Sequence, residues 1–276
     1  MDFHPSARAR LARWLLVFLV LAGATATVVW WRDNHSAAKN SASNSYQTTT
    51  KPLASNDQSK AGFNKSQYSI NDPASIWVVV NKGRVLPSDY VPANLVTPSM
   101  VLRLSASDPE MHVRQVVATA MEKLFAAATS GGLHLMLASG YRSYTEQVSV
   151  YGAEVQKNGQ AGADQESARP GHSEHQTGLA ADLEPASRNC ELSVCFADTP
   201  EGKWLAANAY KYGFIIRYQK NKNSLTGYNY EPWHIRFTGA DLASEINKTG
   251  QTLEQFFNLS ASTDYPATSY QLKAGY

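Results

Sequence analysis

Two separated stretches carry side chains suited to metal chemistry. The first, Gly171 to Glu184, reads Gly-His-Ser-Glu-His-Gln-Thr-Gly-Leu-Ala-Ala-Asp-Leu-Glu; the second, Glu231 to Phe237, reads Glu-Pro-Trp-His-Ile-Arg-Phe. Gly178 permits a turn, after which strand alternation puts Ala180, Asp182 and Glu184 on one face and Leu179, Ala181 and Leu183 on the other. Asp182 then projects from a rigid element, and His175, just before the turn, can meet it. Pro232 suits a strand start, beyond which Trp233, Ile235 and Phe237 point into a core while His234 and Arg236 point outward. Two imidazoles, His175 and His234, with the carboxylate of Asp182 and a spare one at Glu231, supply the parts of a catalytic zinc site: three protein ligands, an open position for water, and a base beside it. Ordinary hydrogen-bonded surface residues would give the same spacing, because a sequence does not show that remote segments touch.

The elements that must position these groups are read from periodicity. Ile76-Trp77-Val78-Val79-Val80 reads as a strand closed by an Asn81-Lys82-Gly83 turn, and the prolines at 87, 92 and 98 make the following segment an irregular covering loop. From Pro109 to Ala128 the apolar residues Val113, Val116, Val117, Ala120, Met121, Leu124 and Phe125 recur at helical intervals, which predicts a core-facing helix. Gly131-Gly132 stops it. Leu133, Leu135 and Leu137 then alternate in a short strand that delivers Ser139-Gly140-Tyr141-Arg142 at its end. Ser143 can cap the next helix with Glu146 completing a capping box and Gln147 in the first turn. Asn158 to Arg169 reads as a loop at the cleft rim. Thr199-Pro200-Glu201 opens a helix that stops at Gly213, Phe214 to Tyr218 is a strand, and Gly239 to Phe257 forms a last helix broken near Gly250.

Ser173-x-His175 followed by Gly178, Ala180 and Asp182, together with Glu231-x-x-His234, resembles the signature of zinc D,D-carboxypeptidases of the VanY type, in the wider group that includes lysostaphin-type peptidases and the hedgehog signalling domain. The resemblance extends to Ser139-Gly140-Tyr141-Arg142-Ser143 with Gln147, to Asn81-Lys82, Leu86-Pro87 and Tyr90-Val91-Pro92, and to Lys203-Trp204-Leu205 with Tyr212-Gly213-Phe214, covering roughly residues 75 to 240 in chain order. It implies an α+β fold with a small antiparallel sheet flanked by helices. It also implies one zinc ion on His175, Asp182 and His234, Glu231 as general base, and Arg142 stabilising the tetrahedral oxyanion. Ser173 and Gln147 would position substrate. Trp233 and Tyr230 could floor the groove, with core packing the plainer role for Trp233. His172 is the competing ligand, three residues from His175, but only His175 stands at the family position. Glu174 and Glu184 read as solvated groups or as supports behind the ligands. The implied reaction removes the terminal D-alanine of a peptidoglycan stem peptide. D,D-cleavage is preferred narrowly over L,D-cleavage of a tetrapeptide, and a non-catalytic zinc-containing wall-binding or signalling module is the alternative of another class. Intact Glu231 and Arg142 argue against that last reading, since a structural zinc needs neither.

Length and composition agree with one exported domain. A chain of 276 residues that is 43% hydrophobic can bury a sizeable core. Arg8, Arg10 and Arg13 precede an uncharged run from Trp14 to Trp31, about 27 Å long as a helix, close to a bilayer core. Residues 1–32 are therefore expected to be a cytoplasmic tip and membrane anchor with the N-terminus inside; cleavage after Ala24-Thr25-Ala26 is the alternative. Residues 33–73, rich in Ser, Asn, Thr, Gln and Lys, read as a flexible linker of roughly 35 Å root-mean-square span. The zinc domain is assigned to 74–260 and a loosely ordered tail to 261–276. Four arginines against one aspartate fall within residues 1–32, so the formal charge of +2 for the whole chain becomes −1 beyond them. A near-neutral ectodomain without basic clusters argues against nucleic acid as a partner, and no protein partner is evident. The only cysteines, Cys190 and Cys195, can form a disulfide in an oxidising compartment, stapling the loop after Asp182 with about 2 kcal/mol; free thiols are the alternative, and a Cys-ligated zinc is weak without a second pair.

Overall fold

The computed structural model describes residues 62–272. Four antiparallel strands form the central sheet, β3 (Leu135–Ser139), β4 (Ala180–Pro185), β5 (Phe214–Tyr218) and β6 (Glu231–Phe237), in the order β3-β4-β6-β5. A two-stranded ribbon of β1 (Leu95–Val96) and β2 (Val113–Arg114) precedes them. The helices are α1 (Gln115–Ser130), α2 (Tyr144–Glu166), α3 (Pro200–Asn208), α4 (Asn223–Thr226), α5 (Ala240–Thr249) and α6 (Leu253–Phe256). Expected and observed class agree: α+β, with a small antiparallel sheet between helical layers.

Alternation along the strands divides the sheet into two faces. Leu135, Leu137, Ala181, Leu183, Ile235 and Phe237 turn towards Val117, Met121 and Leu124 of α1 and form the main core. The opposite face carries Asp182, Glu184, His234 and Arg236, all buried. A second core, built on Trp77, Val79, Ile215, Leu242 and Phe256, closes that side beyond β5. The segment Trp77–Val80 joins no sheet, Trp77 itself lying in a turn, contrary to the strand expected there. Its side chains alternate between the two cores, while its carbonyls are taken by arginines: Arg84 Nε donates to Val79 O (2.9 Å) and Arg236 Nη2 to Val78 O (2.6 Å).

Other boundaries differ from the sequence reading for local reasons. The helix expected from Pro109 begins only at Gln115, because a short 3-10 turn, Pro109–Met111, and strand β2 come first. Val116, expected in the core, is 43% exposed. The rim loop expected over 158–169 is mostly the continuation of α2, which bends at Gly159 (φ 69°) and runs on to Glu166. Ser143 caps α2 as expected, its Oγ accepting from Glu146 N at 3.1 Å. Thr199 caps α3 with Pro200 at its first position, and the stops at Gly213 and Gly250 are left-handed.

Both ends assigned outside the domain contribute to it. Phe63, within the expected linker, stacks on Trp77 with ring centroids 5.6 Å apart. In the expected loose tail, Tyr265 packs on the Arg169 guanidinium and Ser269 is buried. Cys190 and Cys195 form a disulfide. The anchor expected at 14–31 and most of the linker lie outside the described residues; among the described residues no helix is long and apolar enough to cross a membrane.

Candidate active site

Strand register makes the first contact of the site. Asp182 of β4 and His234 of β6 are direct cross-strand partners, and side chains so paired stand about 5 Å apart on one face. His234 Nδ1 lies 3.1 Å from Asp182 Oδ1. His175 comes from the 3-10 turn Glu174–Thr177, which Gly178 ends at φ 63°. The left-handed backbone there favours glycine, and a Cβ would also crowd Leu95 Cδ2 at 3.0 Å and Arg114 Cγ at 3.1 Å. The turn brings His175 Nε2 to 3.3 Å from Asp182 Oδ2. Its Nδ1–H donates to the Gly140 carbonyl at 2.6 Å, which leaves the Nε2 lone pair free for a metal. One donor atom from each of His175, Asp182 and His234 lies within 4.8 Å of the others.

The charges of this cluster suit a divalent cation. Burial alone would raise the Asp182 carboxyl, but His175 and His234 beside it hold it well below the usual carboxylate range. Burial lowers His175, with Asp182 only partly opposing, so that ring is neutral. Burial also works against charge on His234, yet Asp182 and Glu174 outweigh it and raise the ring to about 10. The metal-free site therefore holds a positive charge as a proton on His234. Two nitrogen donors and a carboxylate, all buried and facing a cleft, fit zinc with a coordination position left over.

Glu231 stands beside these ligands, its Oε2 3.7 Å from His234 Nδ1. Strict alternation would place it on the opposite face from His234. The register of β5 against β6 shifts between Ile216 and Tyr218, opposite the stretch that contains Pro232, and brings it across. Burial, with Asp182 adding and His234 opposing, raises its carboxyl to about 8.

Arg142 is held from three sides. Nη1 donates to Gln147 Oε1 (3.1 Å), Nη2 donates to Ser139 Oγ (2.9 Å), and Nε is 3.6 Å from Glu110 Oε1. Its loop hugs the segment before β2 so closely that a Cβ at Gly140 would sit 2.3 Å from His112 O. Gln147 is itself fixed by donating to Ala168 O at 2.7 Å. Its amide thus braces Arg142, and the side chain also lines the cleft where the resemblance implied a substrate contact. A guanidinium fixed in this way is able to stabilise negative charge developing on an oxygen placed beside it. Arg142→Ala is expected to lower kcat by about 10²–10³-fold at unchanged zinc content, and Arg142→Lys to restore little, since an ammonium cannot fill the fork; kinetics with metal analysis checks both.

The cleft over these groups measures about 500 Å³. Ser173 and Trp233 line it, as do the ring of Tyr228 and the charged Glu154, Lys157 and Glu166 of α2. Tyr230 does not. A larger hollow of about 660 Å³, lined by Arg114, Lys123 and Lys211, contains none of the metal-binding side chains. His172 is no ligand: its Nδ1 meets Asn81 O at 2.9 Å and its Nε2 the Ser269 hydroxyl at 3.0 Å. Glu174 and Glu184, read as solvated groups or as supports behind the ligands, and Arg236, read as pointing outward, are all buried. Glu174 accepts from Arg217 and Arg236, whereas Glu184, 3.6 Å from Arg103, has no hydrogen-bond partner and burial raises its carboxyl. The available signal was a lone arginine inside each of two apolar strands, Phe-Ile-Ile-Arg-Tyr and Trp-His-Ile-Arg-Phe, which requires a buried counter-charge.

This fold and site define a zinc metallocarboxypeptidase, and similarity to known proteins agrees. The family model for VanY, D-alanyl-D-alanine carboxypeptidase, matches residues 110–240. The putative carboxypeptidase YodJ of Bacillus subtilis (strain 168) is 40% identical over 222 residues, covering 76% of this chain and 81% of that protein. The LD-carboxypeptidase LdcB, whose structure concerns peptidoglycan recognition, superposes with a TM-score of 0.65 at 42% identity, over 68% of this chain and 88% of its own. The vancomycin-resistance D,D-pentapeptidase VanY of a VanB-type cassette, solved with Zn(II), gives a TM-score of 0.55 at 29% identity, over 66% of this chain and 98% of its own. The chain belongs to the VanY family of carboxypeptidases, zinc enzymes that act on peptidoglycan peptides.

Proposed function

We propose that this protein removes the terminal D-alanine from peptidoglycan stem peptides, with His175, Asp182 and His234 holding the zinc. When bound, the ion supplies a water acidified to near neutrality and a Lewis acid for the scissile carbonyl. Glu231, buried beside the three donors, would take up a proton from the attacking water at its carboxylate and give it to the leaving amine. Arg142, braced by Gln147 and Ser139, faces the oxygen on which negative charge develops. The observation that carries this reading is the three-donor cluster open to a cleft with a buried carboxylate beside it.

The tetrapeptide stem, cleaved in the L,D sense, is the better supported substrate. Identity to the LD-carboxypeptidase LdcB is 42%, against 29% to the D,D-pentapeptidase. This identity favours L,D-cleavage over the D,D-cleavage narrowly preferred from motifs that both activities share. The D,D reading keeps the support of the family description. Purified protein given tetrapeptide and pentapeptide stems separately is expected to release D-alanine faster from the tetrapeptide. Faster release from the pentapeptide would establish the D,D alternative, and no release from either would remove the enzyme reading. The basic, then apolar N-terminus supports a membrane-tethered domain acting in the wall outside the cell; the same segment with its Ala24-Thr25-Ala26 site would serve secretion if cleaved.

A further inference from the structure

The charged face of the sheet holds a cluster that the proposed chemistry leaves unused. Glu174, Arg217, Arg236 and Glu254 are all buried, and two carboxylates balance two guanidinium groups. Glu174 Oε1 accepts from Arg217 Nε (2.9 Å) and Arg236 Nη1 (2.7 Å). Arg217 also donates through Nη2 to Glu254 Oε1 (2.6 Å) and through Nη1 to Glu254 Oε2 (3.1 Å). Asn81 Nδ2 donates to Glu254 Oε1 at 3.0 Å. The remaining oxygen, Glu174 Oε2, has no hydrogen-bond partner, and neither does His234 Nε2; these two buried atoms face each other at 3.6 Å.

We propose that Glu174 is the positioning residue for His234: it holds the ring by Nε2 so that Nδ1 is the atom presented to the metal, while Arg217 and Arg236 hold Glu174. An imidazole offers either nitrogen, and the one that keeps its proton is set by its partner. Asp182 and Glu231 lie on the Nδ1 side at 3.1 and 3.7 Å, and Glu174 lies on the Nε2 side. The two arginines fix the carboxylate through its other oxygen, so Oε2 can serve His234 without leaving the cluster. Glu254 completes the charge balance from α6, outside the matched family region of residues 110–240. This inference rests on the zinc reading of the site, and its test separates the two.

Glu174→Gln and Glu254→Gln each leave one buried arginine charge unbalanced, but only the first alters the group facing His234. Zinc affinity is measured by competition with a chelating dye, and the thermal midpoint of each metal-free protein is recorded. Both variants are expected to lower that midpoint similarly. Glu174→Gln is expected to weaken zinc by about 10–100-fold, and Glu254→Gln by less than about threefold. Equal weakening by both, or wild-type affinity in Glu174→Gln, would overturn the positioning role. Should Glu174→Gln fail to fold, histidine 15N–1H correlation spectra of the zinc-loaded wild-type protein decide. A proton on His234 Nε2 with Nδ1 metal-bound supports the proposal, and the opposite tautomer defeats it. Failure of the wild-type protein to bind zinc would instead defeat the metal reading.

Discussion

Glu231→Ala is expected to bind zinc like the parent and to turn over substrate about 10²–10⁴-fold more slowly. The carboxylate stands outside the three-donor cluster, so removing it leaves His175, Asp182 and His234 in place. What is lost is the proton acceptor. Its burial makes it a strong base, with the carboxyl raised to about 8 in the metal-free protein; a cation in the site lowers that value and keeps the group ionised at neutral pH. Glu231→Gln keeps the shape without the basicity and should lose as much. Parallel measurement of zinc content and kcat checks both variants: full activity in either removes Glu231 from the mechanism, and lost zinc reassigns it as a ligand.

Taking the metal away has the larger effect still. Chelation is expected to bring D-alanine release to background, and added zinc to restore it. In Asp182→Asn, activity should be at background and zinc should not restore it, because the anionic donor shared by both histidines is gone. Zinc uptake also carries a pH signature. His234 is raised from 6.5 to about 10 in the metal-free protein, so the ring is protonated there at neutral pH and the metal must displace that proton. Apparent zinc affinity should therefore climb with pH below about 10, by close to tenfold per unit for one proton displaced. The sign for metal-free stability is opposite. The folded-state pKa is above the unfolded one, so the His234 contribution is complete below pH 6.5 and is lost as the pH rises through about 10. Dye competition and thermal melts between pH 6 and 9 read the two slopes; a flat affinity profile would contradict the assigned proton.

Strand period and turn chemistry were local enough to be read in the chain. Gly178 and the alternation of Leu179 to Glu184 gave β4 and its two faces, and the capping residues Ser143 and Thr199 gave the starts of α2 and α3. Elements went wrong where partners remote in sequence satisfy the backbone. Trp77–Val80 has the composition of a strand, but arginine side chains take carbonyls that a neighbouring strand would otherwise fill. Residues 62–73 and the tail have linker-like composition, yet Phe63 and Tyr265 find aromatic and cationic surfaces on which to pack.

By itself the sequence determined which side chains were available for catalysis, because ligand chemistry restricts zinc to residues such as His175, Asp182 and His234 and a base to one such as Glu231. Only the tertiary structure decided how they act together. Strand pairing set Asp182 opposite His234, a register shift carried Glu231 across the sheet, and the burial of Arg217 and Arg236 turned Glu174 into a support for His234. Register and burial belong to contacts between distant segments, and no local pattern of residues encodes them.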